Sequence, residues 1–164
     1  MRLSGITFES IVDGPGLRIV LFTQGCPHQC PYCQNPETWD CNAGEEFSVK
    51  QIIRLLKKNK KNKQGITFSG GEPFLYAAEL AEVAHTVHQM DWDIVTYTGF
   101  TYEQLLSNAD NSKQALLSES DILIDGKYLH ELRDIGLRFR GSSNQRVIDI
   151  AASQKKESVV LWCA

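Results

Sequence analysis

Three cysteines, Cys26, Cys30 and Cys33, stand in a C-x3-C-x2-C spacing within GCPHQCPYCQNP, residues 25 to 36, with Pro27, Pro31 and Pro36 threaded between them. Three thiolates on one short loop are a soft-metal ligand set, yet the set is one short of closure. Structural zinc takes four protein ligands and catalytic zinc keeps one position open, while a cubane iron–sulfur cluster is usually held by four cysteines. Spacing alone leaves two readings open. One is a structural zinc closed by Cys41 or by His28, the latter cramped because it lies inside the arc between Cys26 and Cys30. The other is a [4Fe–4S] cluster with one iron free of protein, able to bind a small molecule.

A second chemistry-bearing stretch is GGEP, Gly70 to Pro73. Its glycines allow backbone to approach a ligand closely, Glu72 adds a carboxylate, and Pro73 stiffens the turn. Taken by itself it is an ordinary strand-to-helix turn.

The elements that must position these residues alternate along the chain. LRIVLFTQ (17 to 24), GITFSG (65 to 70), WDIVTYTG (92 to 99) and DILIDG (121 to 126) have the β-branched, apolar character of buried strands. SVKQIIRLLKK, YAAELAEVAHTVHQM, TYEQLLSN and SKQALLSE have helical patterning. LRFRGS, QRVIDI and SVVLWCA read as further strand-like runs. Alternation of this kind predicts βαβ units and an α/β fold with a mostly parallel sheet. The chain is too short for eight units, which take about 250 residues. It predicts an open, partial β/α barrel of five or six strands forming a single domain over 1–164. In such folds ligands gather at the carboxyl ends of the strands. The cysteine loop, GGEP, Thr98 with Gly99, Asp125 with Lys127, and RGSSNQR (140 to 146) are all expected on that one rim.

Composition narrows the function classes. The 164 residues are 42% hydrophobic and 23% charged, as in a globular protein. A net charge of −3 gives no electrostatic reason to expect nucleic acid. No signal peptide and no apolar run long enough for a membrane anchor is seen, so a cytoplasmic protein is expected. Five cysteines without a secretion signal favour reduced thiols in metal or catalytic use over a disulfide framework. Cys41 and Cys163 are expected to be buried or incidental thiols. The lysine run Lys57 to Lys63 reads as the solvated carboxyl end of a helix.

GCPHQCPYC followed downstream by SGGEP resembles the radical S-adenosylmethionine superfamily, whose cluster motif is C-x3-C-x2-C with an aromatic, here Tyr32, before the third cysteine. SIVDGPGLRIVLFTQGC and CPYCQNPETW are similar to the activating enzymes of glycyl radical enzymes. ILIDGKY and FRGSSNQRVIDI are similar to the small activases of anaerobic (class III) ribonucleotide reductase. The match covers about Ser10 to Ile150.

The resemblance implies that Cys26, Cys30 and Cys33 bind three irons of a [4Fe–4S] cluster and that the methionine moiety of S-adenosylmethionine chelates the fourth. Reductive cleavage would then release a 5′-deoxyadenosyl radical that takes a hydrogen from a glycine of a partner enzyme, so no catalytic residue is needed beyond the cluster and its ligand. It implies ligand contacts from Tyr32 and Gln34 near the adenine, Gly70, Gly71, Glu72 (toward the methionine amine) and Pro73, Thr98, and Asp125 with Lys127 (toward the carboxylate). Asp13, Gly14 and Arg18 would meet the partner's glycine-bearing peptide. The partner would be anaerobic ribonucleoside-triphosphate reductase, and the electron donor a flavodoxin or ferredoxin. No nucleic acid and no membrane partner is expected. Two alternatives remain: a radical enzyme acting on a small molecule, such as a 7-deazapurine carboxylate synthase, and a non-catalytic zinc-binding domain.

Overall fold

The computed structural model describes residues 1–163. In chain order the elements are β1 (Arg2–Ser10), β2 (Arg18–Thr23), β3 (Glu45–Glu46), α1 (Val49–Lys58), β4 (Gly65–Gly70), α2 (Ala77–His88), β5 (Asp93–Tyr97), α3 (Tyr102–Leu106), α4 (Asn111–Glu119), β6 (Ile122–Asp125), β7 (Arg146–Asp149) and α5 (Ile150–Lys156). The strands form one sheet of order β3-β1-β2-β4-β5-β6-β7. β2, β4, β5 and β6 pair in parallel, whereas β1, β3 and β7 add antiparallel strands at the two edges. The result is an α/β fold with a mixed sheet around a parallel core, and the sheet does not close on itself.

Strand parity divides the sheet into two faces. On one, Ile19, Leu21, Ile66, Phe68, Ile94, Leu123 and Ile148 pack against Ile52, Leu80, Val83, Leu105 and Leu116 from the helices. On the other, Val95, Ile122, Ile124 and Val147 form a smaller cluster with Tyr97, Phe139 and Trp162. Helices thus cover one face, and loops reach across the other. The helices start where their sequences say they should. Ser48 and Gln51 make a reciprocal capping box for α1, as do Thr101 and Gln104 for α3. Lys57 and Lys58 stand exposed in the last turn of α1 as expected, whereas the side chain of Lys63, at the far end of the run, is 5% exposed and pairs with Glu9 at 3.0 Å.

Five departures from the sequence reading have physical causes. β1 is absent from the sequence reading: RLSGITFES carries a glycine, and its mixed burial in the fold is not the clean alternation of a half-buried strand. β7 runs antiparallel to β6: the twenty residues between them contain only a short 3-10 turn, His130–Leu132, and without a crossover helix the chain returns in the opposite sense. LRFRGS is loop, with Phe139 at positive φ and its ring against the inner face. SVVLWCA contributes only a bridge from Leu161 to Ile148 within its described residues. α5, also not anticipated, is capped by Asp149, whose side chain accepts from the Ala152 N–H.

Candidate active site at the carboxyl rim of the sheet

Because β2, β4, β5 and β6 are parallel, the loops after them meet at one rim. β7 runs the other way, so residues 140–145, which precede it, arrive at the same rim. Backbone hydrogen bonds lock these loops together. The Gly71 N–H donates to Thr23 O and that of Glu72 to Gly25 O, each at 2.8 Å, joining the GGEP turn to the start of the cysteine loop. The Gly126 N–H donates to Phe100 O at 2.9 Å. Both glycines of GGEP are required by this closeness. Gly70 has φ +94°, and a Cβ at Gly71 would strike the Gly25 carbonyl oxygen.

A cavity of about 620 Å³ opens at this rim. Of the expected residues, Cys26, Cys30, Cys33, Gln34, Gly70, Gly71, Thr98, Lys127 and Asp13 line it. His28, Arg140 and Gln145, from two of the segments expected on this rim, line it as well, and so does Tyr97, to which sequence reasoning gives no place there. The three cysteines are half-buried and unpaired. Burial pushes the thiols of Cys26 and Cys30 up, opposed by backbone N–H groups aimed at the sulfurs, of His28 and Gln29 at Cys26 and of Tyr128 at Cys30. The Asn35 N–H reaches Cys33 Sγ at 3.4 Å. Among the described residues no three His, Cys, Asp or Glu side chains converge on a single metal ion. A cluster several ångströms across, with a separate iron for each thiolate and N–H donors on the sulfurs, suits this arrangement.

The remaining expected residues sit elsewhere. Glu72 is fully buried and its carboxylate is already engaged: Phe74 N–H and Thr98 Oγ1 donate to Oε1, and Gly99 N–H, Thr98 Oγ1 and His28 Nε2 donate to Oε2, at 2.7–3.0 Å. Pro73 is buried beside it, opening a 3-10 turn. Asp125 faces the helix side of the sheet, as its parity with Leu123 requires. There it accepts from the Tyr102 N–H and from Arg146, which also forks onto Glu103 at 2.8–2.9 Å. Asp125 and Lys127 line a second pocket of about 410 Å³, and of the two only Lys127 also reaches the larger cavity. Tyr32 is 74% exposed with φ +58° and stacks on His130 at 4.3 Å, outside the cavity lining.

The loop 11–17 crosses the inner face of the sheet. Thr67 Oγ1 donates to Asp13 O at 2.8 Å, and Ser10 Oγ donates to the Asp13 carboxylate. Gly14 lies against the side chains of Arg18 and Val95. Arg18 is completely buried, donating to Thr67, Pro15 O and Ile66 O and pairing with Asp93, so it anchors the loop from beneath. Cys41 and Cys163 are both exposed, which removes burial and leaves the other half of the expectation, incidental thiols.

Residues 12–148 match the family described as "4Fe-4S single cluster domain". The chain is 40% identical to the anaerobic ribonucleoside-triphosphate reductase-activating protein of Vibrio cholerae over 143 residues, which is 82% of this chain and 89% of that protein. It is 37% identical to the protein of the same name from Escherichia coli K12, over 84% and 91% of the two chains. It is 36% identical to that of Enterobacteria phage T4, over 83% and 86%. The chain belongs to the family of anaerobic ribonucleoside-triphosphate reductase-activating proteins. With that family comes an iron–sulfur centre, and the cavity that gathers the cysteines is where this member of the activating proteins can hold it.

Proposed function

We propose that this chain is a radical S-adenosylmethionine activase that installs a glycyl radical on an anaerobic ribonucleoside-triphosphate reductase. The observation that carries the reading is the meeting, in one open cavity, of three thiols, the Gly70–Gly71 backbone and the Asp13 loop. The open sheet is read as a partial barrel of the radical S-adenosylmethionine type, with loops rather than helices on its inner face. Bound there, a [4Fe–4S] cluster and S-adenosylmethionine supply an electron and a 5′-deoxyadenosyl radical. The protein supplies placement and dryness.

Cys26, Cys30 and Cys33 hold the cluster, their sulfurs supported by backbone N–H groups that also tune its potential. Gly70 and Gly71 present backbone without side chains beside it, and Thr98 and Gln34 add polar groups to the ligand's wall. Lys127 supplies a cation for a carboxylate. The Asp13 loop, tied down by Arg18 and Thr67, forms the side from which a glycine-bearing peptide enters. The mouth is wide and carries exposed apolar residues, Ile11, Val12 and Ile135, at 71%, 72% and 86% exposure. Apolar groups so placed suit burial by a protein partner. The reductase is therefore read as the missing cover, and a flavodoxin or ferredoxin as the electron source.

The test is anaerobic. The reconstituted, reduced protein is mixed with S-adenosylmethionine, and electron paramagnetic resonance spectra are recorded with and without the reductase. A glycyl doublet appearing only with both proteins, and lost in Cys30→Ala, is the expected result. A cluster signal perturbed by S-adenosylmethionine with no doublet would place the substrate elsewhere, and a protein that binds zinc and no iron would overturn the reading.

A further inference from the structure

His28 lies within the cysteine loop, and its ring reaches the GGEP turn. Its Nε2 donates to Glu72 Oε2 at 2.7 Å, with the two side chains 7% and 0% exposed. The ring sits on Gly99, where a Cβ would collide with the imidazole, and meets the edge of Phe100 at a centroid distance of 4.6 Å. Glu72, in turn, takes N–H and O–H donors from Phe74, Thr98 and Gly99. One imidazole and one carboxylate thereby join the loops after β2, β4 and β5. These are the loop that carries the thiols, the turn that presents Gly70 and Gly71, and the segment that presents Thr98.

We infer that His28 and Glu72 form a strap that fixes the spacing between the cluster loop and the backbone wall of the cavity, making His28 a positioning residue for the ligand rather than a metal ligand. Two observations exclude simpler roles. No third His, Cys, Asp or Glu among the described residues joins this pair around one ion. Every oxygen of Glu72 is already occupied by protein donors, so drawing that carboxylate to a ligand amine would cost one of its buried hydrogen bonds. Gly99 is the counterpart of the strap. Its backbone lies outside the left-handed region, so alanine is conformationally allowed there, but its methyl group would push the imidazole off Glu72.

The inference rests on the activase reading for what the spacing serves, and it is tested by two measurements, one independent of that reading. The first is backbone amide exchange in the metal-loaded protein. His28→Ala should speed exchange of the Gly99 and Phe74 amides, which Glu72 holds, by about tenfold, the scale of one lost hydrogen bond to a charged group. His28→Gln, whose amide can donate to the same oxygen, should restore slow exchange. The second is the KM for S-adenosylmethionine and the change that this ligand causes in the cluster's paramagnetic spectrum. His28→Ala should raise KM by about tenfold, with iron content unchanged and kcat within about threefold. His28→Gln should recover most of the loss.

Gly99→Ala should reproduce the His28→Ala behaviour and add little to it in the double variant, because both act through one contact. Unchanged exchange and KM in His28→Ala, or a Gly99→Ala effect that persists in full without the imidazole, overturns the strap. If the wild-type protein shows no response to S-adenosylmethionine, the functional reading falls, and the exchange measurement alone then decides the strap.

Discussion

At the scale of single residues, the site is built by closeness, and glycine is the instrument. Gly71 approaches the Gly25 carbonyl so nearly that no side chain fits between the GGEP turn and the cysteine loop. A methyl group there must separate the two loops or break the 2.8 Å bond from Glu72 N–H to Gly25 O. Gly71→Ala is expected to cost about 1–3 kcal/mol, the range of small-to-large strain in packed interiors. It should also reduce glycyl-radical yield more than it reduces bound iron, because the cysteines keep their own loop while losing their spacing from the wall. Urea unfolding, iron assay and radical quantification on one preparation measure all three. The same residues show what could be read from sequence. The spacing of Cys26, Cys30 and Cys33 and the GGEP run pointed to the cavity directly, since their chemistry is carried by residue type. The sequence presents His28 only as a candidate metal ligand: its partner, Glu72, lies 44 residues away, and no local pattern joins the two.

At the scale of elements, the parallel core and four of the helices were legible because periodicity and caps are local properties. The edges were not. Whether a strand runs parallel or antiparallel depends on what the connection can span, and between β6 and β7 it spans no helix. The placement of Asp125 follows the same logic. Two residues from Lys127 in sequence, it falls on the helix side of β6 by parity and is spent on α3 and β7. Arg146 closes that junction by forking onto Glu103, whose carboxyl it holds well below the usual range, at about 2 against an ordinary 4.5. A carboxyl lowered on folding stabilises above the unfolded value, and its contribution is lost as pH falls from about 4.5 toward about 2. Glu103 is 58% exposed, so the contribution is about 1 kcal/mol or less. Wild-type protein and Glu103→Gln should therefore differ by that amount in urea unfolding at pH 7, and the gap should narrow at pH 3. A gap that widens on acidification would remove the Arg146 fork as its source.

At the scale of the whole molecule, one face of the sheet is finished and the other is not. The helices bury the first in a continuous core. The second is crossed by the loops 11–17 and 133–141, and the cavity between them stays open. On the proposed function a radical generated there must be kept from solvent, and among the described residues nothing folds across the mouth. The apolar rim is the part of the chain that a partner would seal: Val12 and Ile135 stand on the two loops that flank the cavity, and both line it. Neither side chain is part of a buried cluster, so charge can be introduced without disturbing the core. Val12→Asp with Ile135→Asp is expected to leave unfolding within about 0.5 kcal/mol of wild type, as surface substitutions usually do, and to leave iron content unchanged. Glycyl-radical yield on the reductase should fall by about tenfold or more, since a carboxylate buried unpaired at an interface weakens binding strongly. If the double variant activates the reductase at the wild-type rate while holding its cluster, the partner does not cover this mouth, and the enclosure must be sought on another surface of the pair.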